Sequence, residues 1–150
     1  MTAEELVKHF GMSAHPENGA YVEKHYAHPG PGRAASGSIY YYVGATELTE
    51  FHVIDCDEYW CYTEGSALEV WLVDASSGLV TVKLLGTDDG CVPLIYIPQG
   101  TVFASKHPKG SSEGTFLTCV TVPRFDPAGF TMISRDEMLS RFPSVKEFYE

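Results

Sequence analysis

Basic residues are scarce in this chain. Lysine and arginine together number 10 against 20 aspartates and glutamates, for a net charge of -10 across 150 residues. So acidic a surface repels phosphate backbones, and nucleic acid is excluded as a partner. Long apolar runs are missing too. None approaches the roughly 20 residues that a bilayer crossing requires, so no membrane partner is expected. The first residues, Met1-Thr2-Ala3-Glu4-Glu5-Leu6, lack a basic stretch followed by an apolar one, so no secretory leader is expected and the location reads as cytoplasmic. Only four cysteines occur, Cys56, Cys61, Cys91 and Cys119, and no pair has zinc-site or redox-motif spacing. They read as free thiols in a reducing compartment.

What is present is a succession of short aromatic and β-branched segments. Tyr21–Tyr26, Ser38–Val43, Glu47–Ile54, Tyr59–Thr63 and Leu68–Val73 are followed by Val80–Leu85, Pro93–Ile97, Thr101–Ser105 and Thr115–Val122. Turn chemistry separates them at Pro29-Gly30-Pro31-Gly32, Glu64-Gly65-Ser66, Ser76-Ser77-Gly78, Asp88-Asp89-Gly90 and Pro98-Gln99-Gly100. This spacing predicts an all-β sandwich or barrel. A short helix is expected over Ala3–Phe10, closed by Gly11. A second is expected over Arg135–Arg141, opened by Ser134 and Glu137 at capping-box spacing, with a further turn or two from Ser144 to Tyr149. One domain spans residues 1–150, with the N-terminal helix in 1–12, the barrel in 20–132 and a helical tail in 134–150. His28–Gly37 and Lys106–Gly114 are expected to be mobile.

The densest chemistry lies between Phe51 and Gly65. Strand alternation turns every second residue to one side. If Glu58 faces inward, so do Trp60 and Tyr62, and on the preceding segment His52 and Ile54 share a face. The opposite register would send the acid and the indole to solvent. A histidine, then a carboxylate six residues on, then a glycine turn is the layout of the first motif of a cupin, a small β-barrel with an internal pocket. Gly90–Ser105, with its Pro-x-Gly turn at Pro98-Gln99-Gly100, resembles the second motif. Metal-binding cupins supply three histidines and a glutamate. Here Ile54 and Phe103 stand at two of the histidine positions, leaving His52 and Glu58. Two ligands rarely hold a divalent ion, so no metal or other cofactor is expected beyond a weak site at that pair.

Across nearly the whole chain the sequence resembles the DUF985, or cupin-5, family. The resemblance rests on Phe10-Gly11-Met12-Ser13-Ala14-His15-Pro16-Glu17-Asn18-Gly19, Ser38-Ile39-Tyr40-Tyr41, His52, Asp57-Glu58 and Trp60, Leu85-Gly86, Pro98-Gln99-Gly100 and Val122-Pro123-Arg124-Phe125. Departures fall at Val22, Val53, Cys61, Phe103 and Arg124. The resemblance implies a double-stranded β-helix (jelly-roll) barrel, a ligand-sized cavity and a homodimer.

The expected site therefore has His52, Glu58 and Tyr62 as catalytic residues. Tyr21, Glu23, Tyr40, Ile54, Trp60 and Phe103 are expected to bind the ligand, and no residue to bind a metal. The leading expectation is a metal-independent acid–base enzyme, acting by isomerisation, epimerisation, dehydration or cyclisation on a small planar or cyclic metabolite. A non-catalytic metabolite-binding protein and a metal-dependent oxygenase or hydrolase are the alternatives. His15, His25, His28 and His107 are expected in surface or capping roles, and Asp55 and Asp57 at a solvent-facing turn.

Overall fold

A computed structural model describes residues 1–28 and 30–150. Helix α1 (Ala3–His9) opens the chain. The strands follow as β1 (Ser13–Ala14), β2 (Ala20–Ala27), β3 (Ser36–Val43), β4 (His52–Val53), β5 (Asp57–Gly65), β6 (Leu68–Val73), β7 (Val80–Leu85), β8 (Leu94–Ile97), β9 (Val102–Lys106), β10 (Thr115–Val122) and β11 (Thr131–Met132). A 3-10 turn at Pro127–Gly129 precedes β11. Helix α2 (Arg135–Arg141) and a 3-10 helix at Pro143–Tyr149 close the chain. The expected helices and most expected strands are present. The exception is Glu47–Ile54, which pairs as a strand only at His52–Val53. Before it, Leu48 makes only an isolated bridge to Lys106, and the Thr49 and Glu50 amides donate to the carbonyls of Ser105 and Glu17.

The strands form two antiparallel sheets, ordered β1-β2-β3-β10-β5-β8 and β11-β4-β9-β6-β7. Their inner faces enclose Tyr41, Trp60, Leu68, Val70, Ile95 and Phe103. A face-to-face pair of sheets closed by short turns is a jelly-roll barrel. A second apolar layer lies outside the five-stranded sheet, where Phe51, Trp71, Met138, Phe142, Val145 and Phe148 pack together. This explains why Leu68–Val73 reads as an almost unbroken apolar run, because β6 is covered on both sides. Lys106 ties the tail down by donating from Nζ to the carbonyls of Glu147 and Phe148, 2.9 Å each.

The helix ends are chemically defined. A full capping box forms at Thr2 and Glu5, which the sequence reading did not single out. At α2 the Ser134 hydroxyl accepts from the Glu137 amide at 3.2 Å, one half of the expected box. Among the described residues no helix is long and apolar enough to cross a membrane. The four cysteines are free. The expectation of mobility for His28–Gly37 includes Pro29, which lies outside the described residues. Within that stretch, Arg33 donates to both carboxylate oxygens of Asp55 (3.0 and 2.8 Å), and β3 begins at Ser36. In Lys106–Gly114, the buried His107 ring lies 2.8 Å from the Thr115 hydroxyl through Nε2.

The candidate site: an ionisable cluster in the barrel cavity

The N-terminal turn supplies the first part of the site. Asn18 and Gly19 both have positive φ, 83° and 81°. A Cβ at Gly19 would collide with the Tyr42 carbonyl, so only glycine fits. The turn is pinned from several sides. Asn18 Nδ2 donates to the Leu48 carbonyl at 2.9 Å, and the Glu50 amide donates to the Glu17 carbonyl at 3.1 Å. The Tyr41 hydroxyl donates to the Asn18 carbonyl at 2.6 Å. These bonds carry the side chain of Glu17 into the barrel, where it is 5% exposed.

The other parts come from β4 and β5. His52 sits opposite Phe103 on β9 and Met132 on β11, with its ring 4.2 Å from that of Phe103 and 5.2 Å from that of Phe130. Its Nδ1 lies 2.8 Å from the Glu50 carbonyl and 2.7 Å from Glu17 Oε2. A carbonyl only accepts, so Nδ1 carries a proton. That proton is directed at Glu50, and Oε2 of Glu17 is a buried oxygen in electrostatic contact with the ring but without an in-line donor. Glu58 and Trp60 both point inward from β5, and the Trp60 indole donates to Glu58 Oε1 at 2.8 Å.

His52, Glu17 and Glu58 face one cavity of about 390 Å³. Ile39, Ile54, Phe125, Pro127 and Phe130 give it apolar walls, and Ser38, Cys119 and Thr121 line the β3–β10 side. Tyr21, Glu23 and Arg124 stand on its border. The Arg124 guanidinium is held by both oxygens of Glu23 (3.1 and 2.7 Å) and lies over the Tyr26 ring at 3.9 Å.

The environments separate these groups electrostatically. Burial drives the Glu58 carboxyl up from 4.5 to about 7, and the neighbouring Glu17 charge pushes the same way. The Trp60 donor and the His52 charge only partly offset this. Burial also opposes ionisation of Glu17, but the His52 charge beside it outweighs this and holds Glu17 below its usual range. Burial would discharge His52, yet Glu17 raises it overall. The pair therefore stands as carboxylate and imidazolium. Burial lowers His15, whose Nδ1 accepts from the Glu17 amide at 3.2 Å. The Cys119 thiol is raised well above its ordinary value by burial and by Glu58, so it is no nucleophile.

Of the residues expected at the site, His52, Glu58, Tyr21, Glu23 and Ile54 line the cavity. Trp60 and Phe103 are buried behind it, one holding Glu58 and the other backing His52. Tyr40 and Tyr62 do not line it. Tyr40 lies on the opposite face of β3 against Phe10 and Phe116, while its neighbour Tyr41 points inward. Tyr62 sits where the β5–β10 register shifts, and its hydroxyl donates to the Gly65 carbonyl at 2.6 Å. The sequence reading missed Glu17 and assigned His15 to a surface role. The signal available was the Asn18-Gly19 turn, which has no periodicity to show where its side chains go. Asp55 is clamped by Arg33, and Asp57 accepts from the Gln99 amide at 2.8 Å, which anchors the Pro98–Gly100 turn.

The donor set was tested against a divalent metal of the kind cupins hold. Ile54 and Phe103 offer no ligand atoms, and Nδ1 of His52 is committed to Glu50. Among the described residues no three His, Cys, Asp or Glu side chains converge as metal ligands. The residues present do not fit such an ion.

Fold and site together define a jelly-roll barrel with an ionisable, ligand-sized cavity. The chain belongs to the cupin superfamily, specifically the DUF985 family, whose model matches residues 4–133. An X-ray structure of a Shewanella oneidensis protein is similar over 98% of this chain and 94% of its own, with a TM-score of 0.89 at 24% identity. A hypothetical protein from Leishmania major is similar over 96% of this chain and 94% of its own, with a TM-score of 0.84 at 22% identity. A Bacillus subtilis oxalate decarboxylase variant shares the fold over 88% of this chain and 34% of its own, with a TM-score of 0.62 at 16% identity. No curated protein sequence matches the chain.

Proposed function

We propose that this protein is a metal-independent acid–base enzyme acting on a small cyclic metabolite in the barrel cavity. The observation that carries the reading is the convergence of Glu58 and the Glu17–His52 pair on one cavity, in environments that push their ionisations apart. Separated ionisations of adjacent groups are how one site holds both an acid and a base near neutral pH. Glu58, titrating near 7, is the base, because a catalytic base works best with its pKa close to the operating pH. His52, kept protonated by Glu17, is the acid through the ring nitrogen that Glu50 does not hold. Transfer of a proton to Glu58 and delivery of one from His52 is the exchange that isomerisation, epimerisation, dehydration or cyclisation needs.

The test is a screen of such reactions followed by the pH profile of kcat/KM. A rising limb near pH 7 that disappears in Glu58→Gln supports the reading. Undiminished turnover in both His52→Ala and Glu58→Gln moves the chemistry elsewhere. Binding without turnover favours a metabolite-binding protein. A homodimer is part of the same proposal. β1 pairs only with Ala20 and Tyr21, so the rest of β2 presents an outer edge of the kind that a second copy covers. Light scattering at micromolar concentration should give twice the chain mass, and a monomer mass sinks this part.

A further inference from the structure

The lining of the cavity contains two cations, and each is already matched to its own carboxylate. His52 is matched to Glu17 at 2.7 Å, and Arg124 to Glu23 through two hydrogen bonds. The third basic side chain on the lining, His15, is turned away from the charged form by burial. An entering phosphate or carboxylate therefore finds no free positive partner, and it would approach Glu17 and Glu23. Binding such an anion would require breaking a fork-shaped Arg–carboxylate pair, a geometry that is among the stronger polar contacts in proteins. What the cavity does offer is an acceptor. Glu58 faces this space, and the Trp60 indole takes only its Oε1. Apolar surfaces at Ile39, Ile54, Phe125 and Phe130 face the same space.

We propose that the cavity selects an uncharged cyclic compound that donates an O–H or N–H to Glu58, and that the Arg124–Glu23 pair is the element rejecting anionic ligands. The proposal deepens the acid–base reading by naming its substrate class, but it concerns binding alone. Glu23 takes no part in the proton exchange, so the two can fail separately.

The experiment measures binding by calorimetry and by tryptophan fluorescence, with neutral probes and their anionic relatives. D-glucose tests an O–H donor and glutarimide an N–H donor. D-glucose 6-phosphate and glutarate are the anionic counterparts. The native protein should bind at least one neutral probe and neither anion more tightly than its neutral counterpart. Which neutral probe binds distinguishes a hydroxylated ring from a cyclic amide. Glu23→Gln keeps the size of a side chain that is 40% exposed, so the variant should fold. It frees Arg124 and should improve affinity for D-glucose 6-phosphate or glutarate at least about tenfold, the equivalent of one released charge-assisted hydrogen bond. The proposal is overturned if the native protein prefers an anion, if no neutral probe binds, or if Glu23→Gln gains no anion affinity. If the binding results hold while no turnover is ever found, the charge selection stands and the enzymatic reading falls.

Discussion

Glu58→Gln should give a protein that is nearly inactive and yet more stable than the parent at alkaline pH. The activity loss follows from removing a positioned base, roughly 10²–10⁴ in turnover, with ligand affinity changing far less. The stability gain follows from linkage. The folded state holds the Glu58 proton up to about pH 7, whereas an unfolded glutamate releases it near 4.5. Native protein therefore binds more protons across that window, and its stability falls as pH rises through it. Above about pH 7 the whole penalty is present, on the order of 3 kcal/mol. Glutamine is neutral at every pH and can still accept from the Trp60 indole. Urea unfolding should show the variant ahead by about 3 kcal/mol at pH 8 and by little at pH 5. Equal stability of the two proteins at pH 8 would falsify the buried-acid reading. The coupling has a functional sense, because the form of Glu58 that acts as a base is the form the fold resists.

Removing Glu17 should have the opposite effect on stability. Glu17→Ala strands His52 in a buried position against Phe103 and Phe130, without the carboxylate that keeps it charged. Breaking one side of a buried pair destabilises by about 3–5 kcal/mol. Two opposed limits set the pH dependence. Glu17 has a depressed pKa, so its contribution is present above its ordinary value and is lost as pH falls through the folded one. His52 has a raised pKa, so its contribution is present below 6.5 and is lost as pH rises through the folded value. The deficit should thus be greatest near pH 6 and shrink towards both extremes. NMR of the His52 ring should show its titration displaced downward in Glu17→Ala and in the size-matched Glu17→Gln. An unmoved titration in both would remove Glu17 from the site.

The two predictions divide along the line between what the sequence displayed and what it concealed. Alternation along β5 was enough to turn Glu58 and Trp60 inward, because a strand has one period and one buried face. The same rule carried His52 and Ile54 into the cavity. It also turned Tyr62 against the inner core, but at the end of the barrel, next to the register shift between Phe116 and Leu117 and away from the cavity. At β3 the run Tyr40-Tyr41-Tyr42 offers aromatic residues to both faces, and hydropathy alone does not choose between them. No local pattern shows where Glu17 points. Its direction is fixed by two positive-φ residues and by bonds to Leu48 and Glu50, a tertiary arrangement between turns about thirty positions apart. The tail was readable as helix from Ser134 onward. Its role in covering the outer face of β6 emerges only from packing.

The turn that delivers Glu17 also makes the charged site depend on the leading segment of the chain. The long-range hydrogen bonds that aim this carboxylate join the first nineteen residues to Leu48, Glu50 and Tyr41. Glu58 is held from within the barrel, by Trp60 on its own strand. His52 acquires its counter-charge only when the leading segment docks. Detachment of that segment would thus switch off the acid while leaving the base in place.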